Sequence, residues 1–300
     1  MVGAKGFEPS TLWSQTRCAT RLRYTPTAGI LTRALVHTDR ALRLFTPRVP
    51  MSLPLPQALV WLHSKDPFPP VASAWPADSE APGLLAAGAD LSVARLHSAY
   101  QQGIFPWYSD AQPILWWSTD PRMVLPVDQF CLHRSLKRSL QHFIADPACE
   151  IRFDSAFART IRACAQAPRR GQSGTWIVDA MVRAYENLHA AGHAHSVETW
   201  VQGELVGGLY CVCIGQAVFG ESMFSLRSDA SKIALAALVA WCRQAGVALV
   251  DCQQNTRHLA SLGAHEMARA DFVQHLKTAT TRASGAWRFE PLYWKTLFNR

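Results

Sequence analysis

Residues Leu205–Ser225 read LVGGLYCVCIGQAVFGESMFS, two apolar runs parted at Gly215-Gln216. A short turn between runs of β-forming residues predicts a hairpin, with strands over Glu204–Ile214 and Ala217–Phe224. The second run contains one carboxylate, Glu221. Side chains alternate across a strand, so Phe219, Glu221 and Met223 are expected on one face, an apolar wall with a single anionic point. That pattern suits a pocket for a group both apolar and cationic.

Working outward, a strand over His195–Val201 and a turn at Gln202-Gly203 precede the hairpin. A helix over Asp229–Gln244 follows, with Ser228 as its expected cap; it is apolar nearly all round and is expected to be buried against the sheet. Next comes VALVDCQ, Val247–Gln253. As a strand it would place Val247 and Leu249 on one face with Asp251 and Gln253, the last two about 6–7 Å apart. A helix over Thr256–Leu262, closed by Gly263, ends the unit. This order argues an α+β (mixed α/β) domain with a three-layer build.

Upstream, the helix expected over Trp176–Ala191 carries Ile177, Met181, Ala184, Tyr185 and Leu188 on one stripe. A helix over Ser155–Cys164 turns Phe157, Ile161 and Cys164 inward, and Ile151–Phe153 is a brief strand. The helix expected over His133–Phe143 presents Arg134, Lys137 and Arg138, and the loop Pro168–Gly174 adds Arg169 and Arg170, cations suited to phosphates. From Pro67 to Arg122 the chain is rich in Pro, Gly and Trp with one clear helix, capped by Asp90 or Ser92, carrying Leu96 and Tyr100 on one face, and ended by Gly103. The aromatic runs after it suit base stacking or a domain seam.

About half of the 300 residues are hydrophobic and 17% are charged, an ordinary globular composition. No apolar run approaches the roughly 18 residues that span a bilayer, so a cytoplasmic protein without a membrane partner is expected. Eight cysteines show no CxxC pair, which favours buried thiols over disulfides. Residues 1–50 carry +6 of the net +8 and lack sustained periodicity. They resemble the peptide made when a transfer-RNA gene is translated in error, and Met51 offers a natural start; a disordered basic arm is the alternative. Three motifs are set aside. Gly220-Glu221-Ser222 lacks the second glycine of a nucleophile elbow. The pairs His193/His195 and Cys211/Cys213 each lack a third ligand in the sequence, so no metal is expected.

Seven collinear blocks resemble the leucyl/phenylalanyl-tRNA–protein transferases: GLLAAGADLSVARLHSAYQQGIFPW (83–107), ILWWSTDPRMVL (114–125), GTWIVDAMVRAYENLH (174–189), GHAHSVETW (192–200), ELVGGLYCV (204–212), VFGESMFS (218–225) and LVDCQQNTRHLASLGA (249–264). The resemblance implies a small N-terminal α+β domain followed by a GNAT-type N-acetyltransferase-like domain. With it the chain divides into a non-native or disordered extension (1–50), a small domain (51–126), a catalytic domain (127–285) and a tail (286–300). It implies transfer of Leu or Phe, and Met less well, from aminoacyl-tRNA to the α-amino group of proteins beginning with Arg or Lys, marking them for N-end-rule degradation, with no cofactor. It also implies Asp251 and Gln253 as the catalytic pair, Trp107 as a stack for the terminal adenine, and Tyr100, Trp176 and Tyr185 as further pocket positions.

The residues read independently agree with that chemistry. Aminolysis of an ester by an α-amine of reference pKa about 7.7–8 needs no strong base. Asp251 is expected to attract and orient the ammonium or assist proton loss, and Gln253 to share a hydrogen bond with the attacking nitrogen or the tetrahedral intermediate. Glu221 is assigned to the basic first residue of the acceptor, a buried Arg of the chain itself being the alternative partner. Phe219, Met223 and Val250 are expected to form the cavity for the Leu or Phe side chain. The loop Ser225–Ser231 holds no glycine and brings in Asp229, which would receive the pyrophosphate of coenzyme A poorly. A coenzyme-A-dependent acetyltransferase and a non-catalytic RNA-binding module are the competing readings.

Overall fold

The computed structural model describes residues 58–167 and 177–298. The extension 1–50, Arg169, Arg170 and Trp176 lie outside the described residues. Among those described, eleven strands form two sheets.

The smaller sheet has the order β1-β2-β4-β3: Val60–Leu62, Leu84–Gly88, Leu115–Trp117 and Phe105–Pro106. Helix α1, Val93–Gln101, runs between β2 and β3. Its cap is Ser92, whose Oγ accepts from the Arg95 N–H at 3.3 Å, while Asp90 accepts from the Ser92 N–H. Leu96 and Tyr100 face inward and are fully buried.

The larger sheet has seven strands in the order β11-β5-β10-β9-β8-β7-β6. They are His265–Met267, Arg122–Pro126, Leu249–Gln253, Ala217–Ser225, Glu204–Ile214, Ala194–Val201 and Cys149–Phe153. β9 and β10 run parallel, and every other neighbouring pair is antiparallel. The hairpin strands fall where alternation and the Gly215 turn placed them. β5 is a different matter, because the sequence reading ended the first domain at 126 whereas Arg122–Pro126 is an inner strand of the large sheet. The run RMVLP is too short to show a period, and its partners β10 and β11 lie more than 120 residues away.

Helices cover both faces of this sheet. On one side pack α3 (Phe157–Gln166), α4 (Asp179–Ala190), α7 (Arg269–Ala279), α1 and the smaller sheet. On the other pack α2 (Arg134–Ala145) and α5 (Ala230–Ala245), the latter buried at twelve of its sixteen positions. The result is a three-layer α+β fold. Close approach of α5 depends on Gly207 of β8, where a Cβ would lie 2.5 Å from that of Ala230. Thr199 Oγ1 donates to the Ala230 carbonyl at the same point.

Two local expectations change. Ser228 does not cap α5; Asp229 takes that position in a left-handed conformation, φ 61°, with its carboxylate turned to Ser139 and Lys232. The C-terminal stretch read as a tail is packed: Trp287 stacks between His195 and Trp241 at 4.0 and 4.1 Å, and Trp294 and Leu297 are buried beside α5. Its density of aromatic residues makes burial favourable, at about 25 cal/mol per Å² of apolar surface.

Candidate active site

The site forms where β9 and β10 part. The two strands pair at Val218↔Val250 and Phe219↔Asp251, and no pairing is recorded between them past that point. Opposite β8, Tyr210 pairs with Ser222 and Cys211 with Gly220, so Glu221 is the extra residue of a β-bulge. The bulge re-aims Glu221 and reverses the alternation beyond it. Phe219 and Phe224 therefore lie on the α1/α4 side of the sheet, while Met223 and Val250 pack on the α5 side. The expected common face of Phe219, Glu221 and Met223 fails for this reason, and so does a cavity built from Phe219, Met223 and Val250 together. Phe219 is instead a fully buried support, 5.0 Å from the Tyr100 ring and edge-on to Phe272.

Glu221 is half-buried and held by neutral donors. Tyr100 Oη donates to Oε1 at 2.8 Å, Tyr185 Oη to Oε2 at 3.1 Å, and Gln253 Nε2 to Oε1 at 3.2 Å. The two tyrosine hydroxyls also contact each other. Among the described residues no Lys or Arg forms an ion pair with Glu221; Arg122, fully buried, is paired with Asp251 and reaches Glu221 only as a nearby charge that lowers its pKa. Desolvation pushes the Glu221 carboxyl up to about 7, against the lowering effect of the two tyrosine hydrogen bonds. Burial, with Glu221 next, raises both tyrosines well above their ordinary value, so they act as neutral donors. Three O···O contacts among the two hydroxyls and the two carboxylate oxygens share two hydroxyl hydrogens, and Glu221 supplies a third when its carboxyl is protonated.

Asp251, on β10, is 0% exposed. Arg122 Nε and Nη2 donate to its two oxygens at 2.8 and 2.7 Å, and the Gln253 N–H donates to Oδ1 at 2.9 Å. A direct grip on an incoming ammonium, expected from the sequence, is closed to a carboxylate so enclosed. What remains open to it is to hold Gln253. Leu249 packs on the α1/α4 side, but the ladder with β5 shifts register between Asp251 and Gln253, and Val247 lies outside the strand and packs on the α5 side.

Tyr100 and Tyr185 thus meet Glu221 and Gln253 in one cluster. Trp107 is half-buried beside Trp117, with ring centroids 5.4 Å apart. Arg134, Lys137 and Arg138 are exposed on α2, which Ser139 ties to the head of α5 through Asp229. At that head, Leu226 and Arg227 spend their N–H groups on the Val206 carbonyl, and the Ser231 N–H goes to Ser225 Oγ. The backbone donors of Leu226, Arg227, Ala230 and Ser231 are therefore engaged, and the Asp229 carboxylate stands beside them, which disfavours a pyrophosphate there.

Sequence reasoning missed Arg122 and Thr119. Arg122 is an arginine opening an otherwise apolar strand, the same signal that singled out Glu221. It also missed that Asp154 and His189 join His195, their ligand atoms all within 4.8 Å. Those atoms are occupied by hydrogen bonds: Asp154 meets His195 Nδ1 and the Ser196 N–H at 2.7 Å each, and His189 Nδ1 meets the Ala194 carbonyl at 2.7 Å. The group is a bonded network beside the β6 edge of the sheet, with His189 one helical turn beyond Tyr185 on α4.

Comparison with known families accords with this arrangement. The leucyl/phenylalanyl-tRNA protein transferase model matches residues 124–277, and the model of that family's N-terminal domain matches residues 89–120. The chain is 62% identical over 243 residues to the leucyl/phenylalanyl-tRNA–protein transferase of Polaromonas sp., covering 81% of this chain and 95% of that protein. It is 58% identical to that of Albidiferax ferrireducens, over 81% and 95%, and 59% identical to that of Leptothrix cholodnii, over 78% and 92%. With matches of this extent and identity, the chain belongs to the leucyl/phenylalanyl-tRNA–protein transferase family.

Proposed function

We propose that this chain transfers Leu or Phe, and Met less readily, from aminoacyl-tRNA to the α-amino group of proteins beginning with Arg or Lys, marking them for N-end-rule degradation. The observation that carries the reading is Glu221, a half-buried carboxylate held by three neutral donors, with which no Lys or Arg of the described residues forms an ion pair. A guanidinium or ammonium arriving from outside completes such a site and favours its ionised form.

The acceptor's basic side chain docks on Glu221, which brings its α-amine to the mouth of the fork. Gln253 spends Nε2 on Glu221, leaving its amide oxygen to accept a hydrogen bond from the attacking nitrogen. The neutral amine forms the C–N bond, the bond between the carbonyl carbon and the ribose oxygen breaks, and one amine proton ends on that oxygen. Positioning supplies most of the acceleration, since well-oriented pairs reach effective molarities of about 10⁵ M or more. Trp107 offers a ring face for the terminal adenine, a contact of about 1–3 kcal/mol by general measure. The exposed Arg134, Lys137 and Arg138, with Arg169 and Arg170, which lie outside the described residues, serve the tRNA backbone.

The test is direct. Purified protein incubated with labelled Leu-tRNA and an Arg-starting peptide should place the label on the peptide. Acetyl transfer from coenzyme A, or retention of tRNA without product, would overturn the reading.

A further inference from the structure

Gln253 adopts φ +55°, a left-handed conformation that a residue with a side chain rarely holds without external restraint. The restraint is visible on three sides. Its N–H donates to Asp251 Oδ1 at 2.9 Å, its carbonyl accepts from Thr119 Oγ1 at 3.0 Å, and its side chain donates to Glu221.

Two of those bonds trace back to one short segment. Asp251 is gripped by Arg122, which also donates Nη1 to the Gly103 carbonyl at 3.1 Å and lies between the Phe105 and Phe272 rings, 4.8 Å from each centroid. Thr119 stands three residues before Arg122. The segment between β4 and β5 is itself anchored to the start of α7, where Arg269 donates Nη1 to the Ser118 carbonyl at 2.7 Å and its N–H to Asp120 Oδ1 at 3.1 Å.

We infer that Thr119 and Arg122 are positioning residues for the transfer reaction, a two-point clamp from the strand β4–β5 connection that sets the Gln253 amide toward the acceptor amine. Neither needs to touch substrate. Arg122 acts through Asp251 on the Gln253 N–H, and Thr119 acts directly on the Gln253 carbonyl. The inference rests on the reading that gives Gln253 a part in the reaction.

Thr119 is the cleaner probe, because it is half-buried and valine keeps its shape while removing the hydroxyl. With Leu-tRNA and an Arg-starting peptide, Thr119→Val should lower kcat about five- to tenfold, with KM for either substrate changed less than about twofold. Thr119→Ser, which keeps the hydroxyl, should recover most of that loss. In a Gln253→Ala background Thr119→Val should have no further effect, since a residue that acts through another is silent once its target is gone. Should valine compromise folding, as read by the thermal midpoint, comparing Thr119→Ser with Thr119→Ala poses the same question. Wild-type kcat in Thr119→Val beside an impaired Gln253→Ala, equal losses in the serine and valine variants, or losses that multiply in the double variant would each overturn the clamp while leaving the role of Gln253 intact. A Gln253→Ala variant that turns over like the wild type would overturn the role itself, and the clamp with it.

Discussion

Gln253 Nε2 lies 3.2 Å from Glu221 Oε1 across the fork between β9 and β10, and this bond joins the two strands where no ladder pairing is recorded between them. The carboxylate proposed to bind the acceptor and the amide proposed to face the attacking nitrogen are thereby one unit. A cation that draws on Glu221 also adjusts Gln253.

Replacing Glu221 by Gln keeps the side chain's shape and removes its charge. The KM for an Arg-starting peptide should rise about 10- to 100-fold, the loss of a charge-assisted hydrogen bond of roughly 1.5–3 kcal/mol. Leu-tRNA affinity should change less than about twofold. Peptide titrations at saturating Leu-tRNA, with tRNA binding measured separately, give both numbers.

The Glu221 carboxyl, raised to about 7, makes acceptor binding pH-dependent. Below that value the protonated acid no longer attracts a cation, so KM for the peptide should climb as pH falls from about 8 to 6, and the Gln variant should lack this climb. Stability carries the opposite sign. Between the ordinary carboxylate pKa and about 7 the folded protein holds the proton that the unfolded chain has released, so the contribution of Glu221 to stability declines as pH rises through that window. Thermal midpoints of wild type minus Glu221→Gln, plotted against pH, should fall across it.

Asp251→Ala should both cripple transfer and cost about 3–5 kcal/mol of stability, because it strands Arg122 as a buried unpaired charge. Urea denaturation measures the cost. The double variant Arg122→Met, Asp251→Leu should regain much of the stability without regaining activity, separating the structural part of the pair from its hold on Gln253.

Exchanging Lys137 and Arg138 for Gln should weaken tRNA binding and reduce the slope of log affinity against log salt by about 1.5, two counterion-releasing contacts. Both side chains are exposed on α2, so folding should be unaffected. Filter binding across a salt series reads the slope.

Alternation and caps were enough to locate the hairpin strands to within a residue, helix α1 with Ser92 as one of two candidate caps, and the inward stripe of α4, because each depends on neighbours within a few residues. Glu221, Asp251 and Gln253 stood out in the same way, as polar groups in strands that otherwise read apolar. A period of two puts Leu249, Asp251 and Gln253 on one face, but it does not foresee the register shift between Asp251 and Gln253 in the pairing with β5. What period alone could not foresee is the bulge at Glu221, an extra residue that exists only relative to β8 and sends Met223 and Phe219 to opposite faces. Nor could it foresee that Asp251 is enclosed by Arg122, a partner 129 residues away, or that the Thr119 hydroxyl bonds the Gln253 carbonyl. Those pairings follow from which strands become neighbours. Strand order in a sheet is settled by packing summed over the whole chain, so local residue patterns name the candidate groups while only the assembled sheet decides what each of them touches.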